Sequence, residues 1–188
     1  NMDAQPCSPY GWSKKMIEIV LQDYYTAYNL NSVSLRFFNV AGADTDCELG
    51  QEPNATHIIA KAIELTMAGK DFTLFGKEFD TPDGTCVRDY VHVEDVAQGI
   101  LNSIELLQTT SGAHTFNLGG ERGYSNLEIV ESINRVTPLT VNLKYGDPRA
   151  GDPSTLISDT DAANTTLKWN PKHDLDSIIS TAYKWYNK

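Results

Sequence analysis

The stretch "SPYGWSKKMIEIVLQDYYTAYNLNSVSLRFFNVAGA", Ser8 to Ala43, decides how this chain is read. Ser8 can cap free N–H groups, and Pro9 has the fixed φ that suits a first helical turn. Ile17, Val20, Leu21, Tyr24 and Tyr28 then recur at three and four, which predicts a long amphipathic helix to about Asn29. "SVSLRFFNVAG" is β-branched and aromatic and stops at Gly42, the pattern of a strand buried on both faces. Inside the helix, Tyr10 and Lys14 stand at i and i+4 and so share one face. A lysine ammonium beside a phenol favours the phenolate, which suits the tyrosine to proton transfer. By spacing alone the pair serves as well as ordinary helix surface.

Outward from this stretch, helices and strands alternate. His57 to Ala68 reads as a helix stopped by Gly69, "DFTLFG" as a short strand, and "KEFDTPDGTC" as a loop or hairpin. "VRDYVHV" is a strand, Glu94 to Leu107 a helix with Val96, Ile100, Ile104 and Leu107 on one side, and "AHTFNLGG" a strand. Ser125 with Glu128 forms a capping box for a helix through Val136. "TVNLKYG", the loop "GDPRAGDPS", a short helix near Asp161 to Leu167 and a last helix from about Leu175 to Tyr186 complete the chain. The aromatic run "YKWY" near its end places Tyr183 and Tyr186 on a packing face with Ile179. This alternation predicts α/β architecture with a largely parallel sheet.

Composition excludes several classes. With 188 residues and 40% hydrophobic content the chain can bury one sizeable core or two small ones. A net charge of −10 argues against nucleic acid, whose binders carry a basic face. An anionic ligand must then be held by a few placed arginines. No apolar run is long enough to span a bilayer and no export signal is visible, so no membrane partner is expected and the location expected is cytoplasmic. Cys7, Cys47 and Cys86 have no C-x-x-C spacing, which predicts idle thiols, neither disulfides nor a zinc site. The four histidines are spread along the chain, and no metal is expected. His92, His114 and His173 read as structural or exposed.

A doubly wound nucleotide-binding sheet normally opens with a strand, a Gly-rich turn and a helix that receives the pyrophosphate. No G-x-G-x-x-G occurs here, and Gly119, Gly120 and Gly123 have the wrong spacing. The chain also begins with Asn1 ahead of Met2.

Across its whole length the opening stretch resembles the catalytic helix and following strand of the extended short-chain dehydrogenase/reductases, and among them the UDP-glucose 4-epimerases. "TPDGTCVRDYVHVEDVA" is similar to that family's signature, and "FNLGG", "SNLEIV" and "PRAGDP" follow in its order. The resemblance covers residues from about 5 to 187. It implies the C-terminal part of a Rossmann-type NAD(P)-binding fold with a smaller α/β substrate-binding domain. Residues 1–40 would be the remnant of the Rossmann domain. Residues 41–188 would be mainly the substrate domain, with segments near 88–120 returning to the Rossmann sheet.

The same resemblance implies roles. Tyr10 would be the catalytic base and Lys14 the residue that grips the nicotinamide ribose, while the backbone of Phe38 would meet the cofactor amide. Asn39 would contact the sugar-nucleotide, His57 and Ile58 would lie along the diphosphate and uridine, and Phe75 would sit next to the uracil. Arg88 and Arg149 would hold the diphosphate, and Asp152 the ribose hydroxyls. Leu156 would limit the sugar pocket, a residue small enough to admit N-acetylated hexoses. Two guanidiniums do offer bidentate donors to phosphate oxygens. The plainer reading is that Arg88 pairs with Asp89 or Asp83, and Arg149 with Asp147 or Asp152, as surface ion pairs.

The resemblance thus implies an NAD-dependent 4-epimerase of UDP-glucose and UDP-galactose, working through a 4-keto sugar and homodimeric in the family. The Gly-rich turn and an upstream catalytic serine or threonine of that family have no counterpart here. The chain is therefore expected to be a C-terminal portion with impaired NAD binding, with apolar surface on the Tyr10 helix and a sheet edge left exposed, and marginal, oligomeric or rearranged around that edge. The alternatives are a non-catalytic UDP-sugar-binding fragment and a UDP-sugar dehydratase or decarboxylase of the same superfamily.

Overall fold

The computed structural model describes residues 5–6, 8–149 and 151–188. The readings placed on Asn1, Met2 and Cys7 lie outside them. Helix α1 (Pro9–Tyr28) begins as its sequence dictates, with the Ser8 hydroxyl accepting from the Gly11 N–H at 3.1 Å. Asn29 ends it in the left-handed conformation, its N–H donating to the Tyr25 carbonyl.

The single strand expected after α1 is two. Strand β1 (Ser32–Phe37) pairs in parallel with β5 (Ala113–Leu118), then Phe38 donates its N–H to the Leu118 carbonyl and the chain changes partner. Strand β2 (Asn39–Ala41) runs parallel to β4 (Val87–His92). Neither β1 nor β2 holds a fully buried residue, so the expectation of burial on both faces is corrected: among the described residues β1 has a partner along one edge only.

Strand β4 is the hub. It pairs with β2, with β6 (Gly123–Ser125) in antiparallel fashion and with the two-residue β8 (Thr155–Leu156) in parallel. Both β6 and β8 are too short to show a periodic pattern in sequence. Strands β3 (Phe72–Phe75) and β7 (Leu143–Gly146) form a separate parallel pair. The helices are α2 (Ile58–Met67), α3 (Val93–Thr109), α4 (Asn126–Val136) and α5 (Leu175–Tyr186). The capping box of Ser125 and Glu128 is formed at α4. The short helix near Asp161 is a turn that widens into a π-helix over Ala163–Leu167.

Two apolar cores result. One joins α2, β3, α4 and α5 through Ile59, Ile63, Leu74, Ile129, Ile133, Ile178 and Ile179, with Tyr183 and Tyr186 packed against it. The other joins β4, β5, α3 and the π-helical turn around Trp169, whose side chain is wholly buried and whose Nε1–H donates to the Asp95 carbonyl at 2.7 Å. The Trp169 ring packs beside Gly99, and the buried face of α3 runs through Val96, Gly99 and Ser103. Ile100 and Ile104, expected on the core side with Val96, face outward at 44% and 52% exposure.

No residue of α1 is buried, and Trp12, Met16, Ile17, Ile19, Val20 and Tyr24 are all exposed, the apolar surface expected of a helix short of partners. Apolar residues surround the helix, and β1 with β5 can cover only one strip of it. What fastens it is a bidentate ion pair. Arg36 of β1 donates from Nε and Nη2 to the two carboxylate oxygens of Glu18, each at 2.7 Å. No helix among the described residues is long and apolar enough to cross a membrane.

The hydrogen bonds from Arg36 hold the Glu18 carboxyl below its usual value of 4.5. An unfolded chain takes up that proton at higher pH, so the stabilisation is present above about 4.5 and is lost as pH falls through the lower folded value. Glu18→Gln should cost about 1 kcal/mol at pH 7, allowing for solvent on the pair, and should flatten the acid limb of stability. Urea melts at pH 7 and pH 4 check this, and equal stability of the two proteins at pH 7 refutes it.

Candidate active site

The break between β1 and β2 opens onto a cleft of about 1070 Å³. Its walls are the first turn of α1, residues 37–51, the start of α2, the ends of β3 and β4, the first residue of α4, the loop after β7 and the last turn of α5. Of the residues singled out in sequence, Tyr10, Phe38, Asn39, His57, Ile58, Phe75, Arg88, Arg149 and Asp152 all line it. They come from segments spread over most of the chain.

Lys14 is not among the lining residues; its ammonium stands 5.3 Å from the centre of the Tyr10 ring, as the i, i+4 spacing requires. Tyr10 itself is 73% exposed. Leu156 is not among the lining residues either. It sits on β8 opposite Arg88 and is 49% exposed.

The two arginines are not the surface ion pairs of the plainer reading, because among the described residues neither meets a carboxylate within 4.0 Å. Arg88 donates through Nη1 to the Val87 carbonyl at 2.8 Å, which braces the side chain and leaves donors over. Asp83 accepts instead from the N–H and hydroxyl of Thr85 and from Ser125. Asp89, wholly buried, accepts from the N–H groups of Gly120 and Ser158 and from the Ser158 hydroxyl. Arg149 lies flat over Phe75, 4.7 Å from the ring centre, a cation–π contact. Cys86 is buried at the same end. Burial foremost, with the Asp152 charge adding, pushes its thiol up, so it is a poor nucleophile, as an idle thiol should be. Burial likewise raises the Tyr90 phenol and keeps it protonated.

Residues that the sequence did not single out also line the cleft: Lys61 on α2, Asn126 at the start of α4, and Glu94 at the start of α3. Each occupies a first or second helical turn. The signal available in sequence was the clustering of helix starts, but their convergence depends on tertiary packing. The N-cap of α2, His57, makes no side-chain cap hydrogen bond, so its ring remains open to the cleft.

One expectation about histidine is overturned. His92 and His173 are stacked with ring centres 4.1 Å apart, and with Glu94 they bring ligand-type atoms within 4.8 Å of one another. His92 is already committed to the protein through both ring nitrogens, one accepting from the Glu94 N–H and the other paired with the Thr181 hydroxyl. A ring with no lone pair left is not available as a metal ligand.

The arrangement combines, on one cleft, a phenol with a nearby ammonium, a carboxylate and two guanidiniums that meet no carboxylate within 4.0 Å among the described residues. Such a cleft can hold an anionic diester by one end and expose its other end to a base. Residues 1–119 match the NAD dependent epimerase/dehydratase family. The chain is 41% identical over 184 residues to a UDP-glucose 4-epimerase of Lactobacillus helveticus, covering 96% of this chain and 56% of the relative. It is 42% identical to one of Azospirillum brasilense, covering 96% and 53%. Among solved structures, UDP-glucose 4-epimerase from Brucella ovis in complex with NAD superposes with a TM-score of 0.90 at 40% identity, covering 96% of this chain and 56% of that one. The enzyme from Stenotrophomonas maltophila with bound NAD and formylated UDP-arabinopyranose gives 0.94 at 29% identity, covering 100% and 57%. The chain therefore spans just over half the length of the relatives it matches.

Proposed function

This chain belongs to the NAD dependent epimerase/dehydratase family, and from that premise we propose that it carries the proton-transferring pair and the nucleotide end of a UDP-hexose 4-epimerase. The observation that carries the reading is the convergence of Tyr10, Asn39, Phe75, Arg88, Arg149 and Asp152 on one cleft, with both guanidiniums free of carboxylates. Arg88 and Arg149 hold the diphosphate, Asp152 accepts from the ribose diol, and Phe75 flanks the uracil. Tyr10 takes the proton of the sugar 4-hydroxyl, its phenolate favoured by the Lys14 ammonium. Gripping the nucleotide firmly and the sugar loosely lets a 4-keto sugar turn over in the cleft, so that C4 would take its hydride back on the opposite face while Tyr10 returns the proton to the 4-oxygen.

NAD, where bound, supplies the acceptor and donor of the C4 hydride. The residues of this chain fit only its nicotinamide end. Tyr10 and Lys14 are placed for the nicotinamide ribose, and Phe38 lines the cleft, but its N–H is already committed to the Leu118 carbonyl. No Gly-rich dinucleotide turn occurs in the 188 residues. By themselves they are a UDP-sugar-binding unit.

The domain assignment belongs to the same reading. The core around Trp169 is the Rossmann part, fed by residues near 1–40 and 88–120, and the core around Ile63 and Ile179 is the substrate part. The exposed apolar residues of α1 and α3 are an interface between copies of the chain.

Three measurements test these statements. In titration calorimetry Arg88→Ala and Arg149→Ala should each weaken UDP binding by about ten- to a hundredfold; parental affinity in both would sink the assignment. NAD added to the chain should give no binding heat, and stoichiometric binding would show that the adenosine and pyrophosphate contacts are supplied some other way. Sedimentation should give the mass of at least two copies, against which a stable monomer would count.

A further inference from the structure

The first turn of α3, the loop after β2 and the segment entering α5 meet at the stacked pair His92 and His173. His92 is wholly buried, and its role is set by its neighbours. Its Nδ1 accepts from the Glu94 N–H at 3.1 Å, so the ring hydrogen is on Nε2, 3.0 Å from the Thr181 hydroxyl. That hydroxyl in turn accepts from the Ala43 N–H at 3.2 Å. Protonating His92 on Nδ1 would break the start of α3, and burial with the neighbouring His173 holds its affinity for a proton down.

His173 is placed differently. It is partly exposed and faces two carboxylates, with Nε2 3.3 Å from Glu94 and Nδ1 3.1 Å from Asp95. A neutral imidazole has one N–H and can serve only one of them, turning a lone pair to the other. A protonated ring is attracted by the charge of both, although its Nδ1 makes no hydrogen bond in this arrangement. Asp95 is fixed, accepting from the N–H groups of Lys172 and His173. Glu94 also holds the N–H and hydroxyl of Thr45, at 2.8 and 2.9 Å, and so links His173 to residue 45. Gly42, Asp44 and Glu94 all line the cleft. The charged groups around His173 are thus Glu94 and Asp95 from α3 and its own neighbours Lys172 and Asp174, while α5 contributes the uncharged Thr181 to the adjoining His92.

We propose that this group is a proton-operated clasp on the cleft wall: a proton on His173 draws Glu94 onto the segment entering α5 and tightens residues 42–45, and its loss loosens them. The inference stands whether or not the ligand of the cleft is a UDP-sugar. Gly42 makes the clasp sensitive to small movements, since a Cβ there would lie 2.7 Å from the His92 ring.

Amide hydrogen exchange at Ala43 and Thr45, corrected for the intrinsic pH effect, reads the clasp directly. Protection at Thr45 should fall about fivefold between pH 5.5 and pH 8, and in His173→Gln it should be low and flat over that range. A flat profile in the parent chain, or the same pH dependence in the variant, overturns the proposal. A proton NMR titration of the parent gives a second reading that needs no variant. The Thr45 amide shift should share its midpoint with the His173 ring, and a midpoint elsewhere also overturns it.

Discussion

A buried carboxylate that meets no cation within 4.0 Å among the described residues, Asp89, is the constraint on which the rest of the structure depends. An ionised group in the interior is costly unless its oxygens are satisfied, and Asp89 achieves this by drawing in the N–H groups of Gly120 and Ser158 and the Ser158 hydroxyl. The approach is close enough that a side chain at Gly119 or Gly120 would strike Asp89 itself or the Tyr90 carbonyl. In this way β4 is tied to the turn after β5 and to the strand that follows the Arg149 loop. Its neighbours then point where they must. Arg88 reaches the cleft, Tyr90 enters one apolar core, Val91 the other, and His92 the stacked pair.

The same economy of hydrogen bonds explains how an acidic protein presents free guanidiniums. Asp83 and Asp89, the acids nearest Arg88 in sequence, are both occupied by hydroxyl and backbone donors. Arg149 is held by an aromatic face, which neutralises nothing. Positive charge therefore survives at one end of the cleft in a chain whose net charge is −10, as recognition of a compact dianion by a few placed cations requires.

Much of the fold was legible because local signals coincide with the final elements: Ser8 and Pro9 start α1, Gly69 follows α2, and Ser125 with Glu128 starts α4. The failures have a common cause. β6 and β8 have no pattern of their own and exist because β4 offers them an edge. Ile100 and Ile104 carry the periodicity of a core face, yet α3 packs through Val96, Gly99 and Ser103, with Leu118 and Trp169 close on Gly99. The partner change at Phe38 leaves no mark on an unbroken run of strand-forming residues. For the site, the chemistry-bearing residue types were visible, but Lys61, Asn126 and the histidine pair were not, because their neighbours lie far away in the chain.

By itself, the sequence determined the alternation of helices and strands, the helix starts, the i, i+4 pairing of Tyr10 with Lys14 and the motifs that place the chain in its family. These arise from short-range sterics and hydrogen bonding, in which each residue interacts with others a few positions away. Only the tertiary structure decided that, among the described residues, Arg88 and Arg149 stand without carboxylate partners, that Leu156 comes opposite Arg88 and that His92 and His173 meet. Those outcomes depend on which distant groups compete for the same donor, edge or surface, and that competition is resolved only when the segments are packed together.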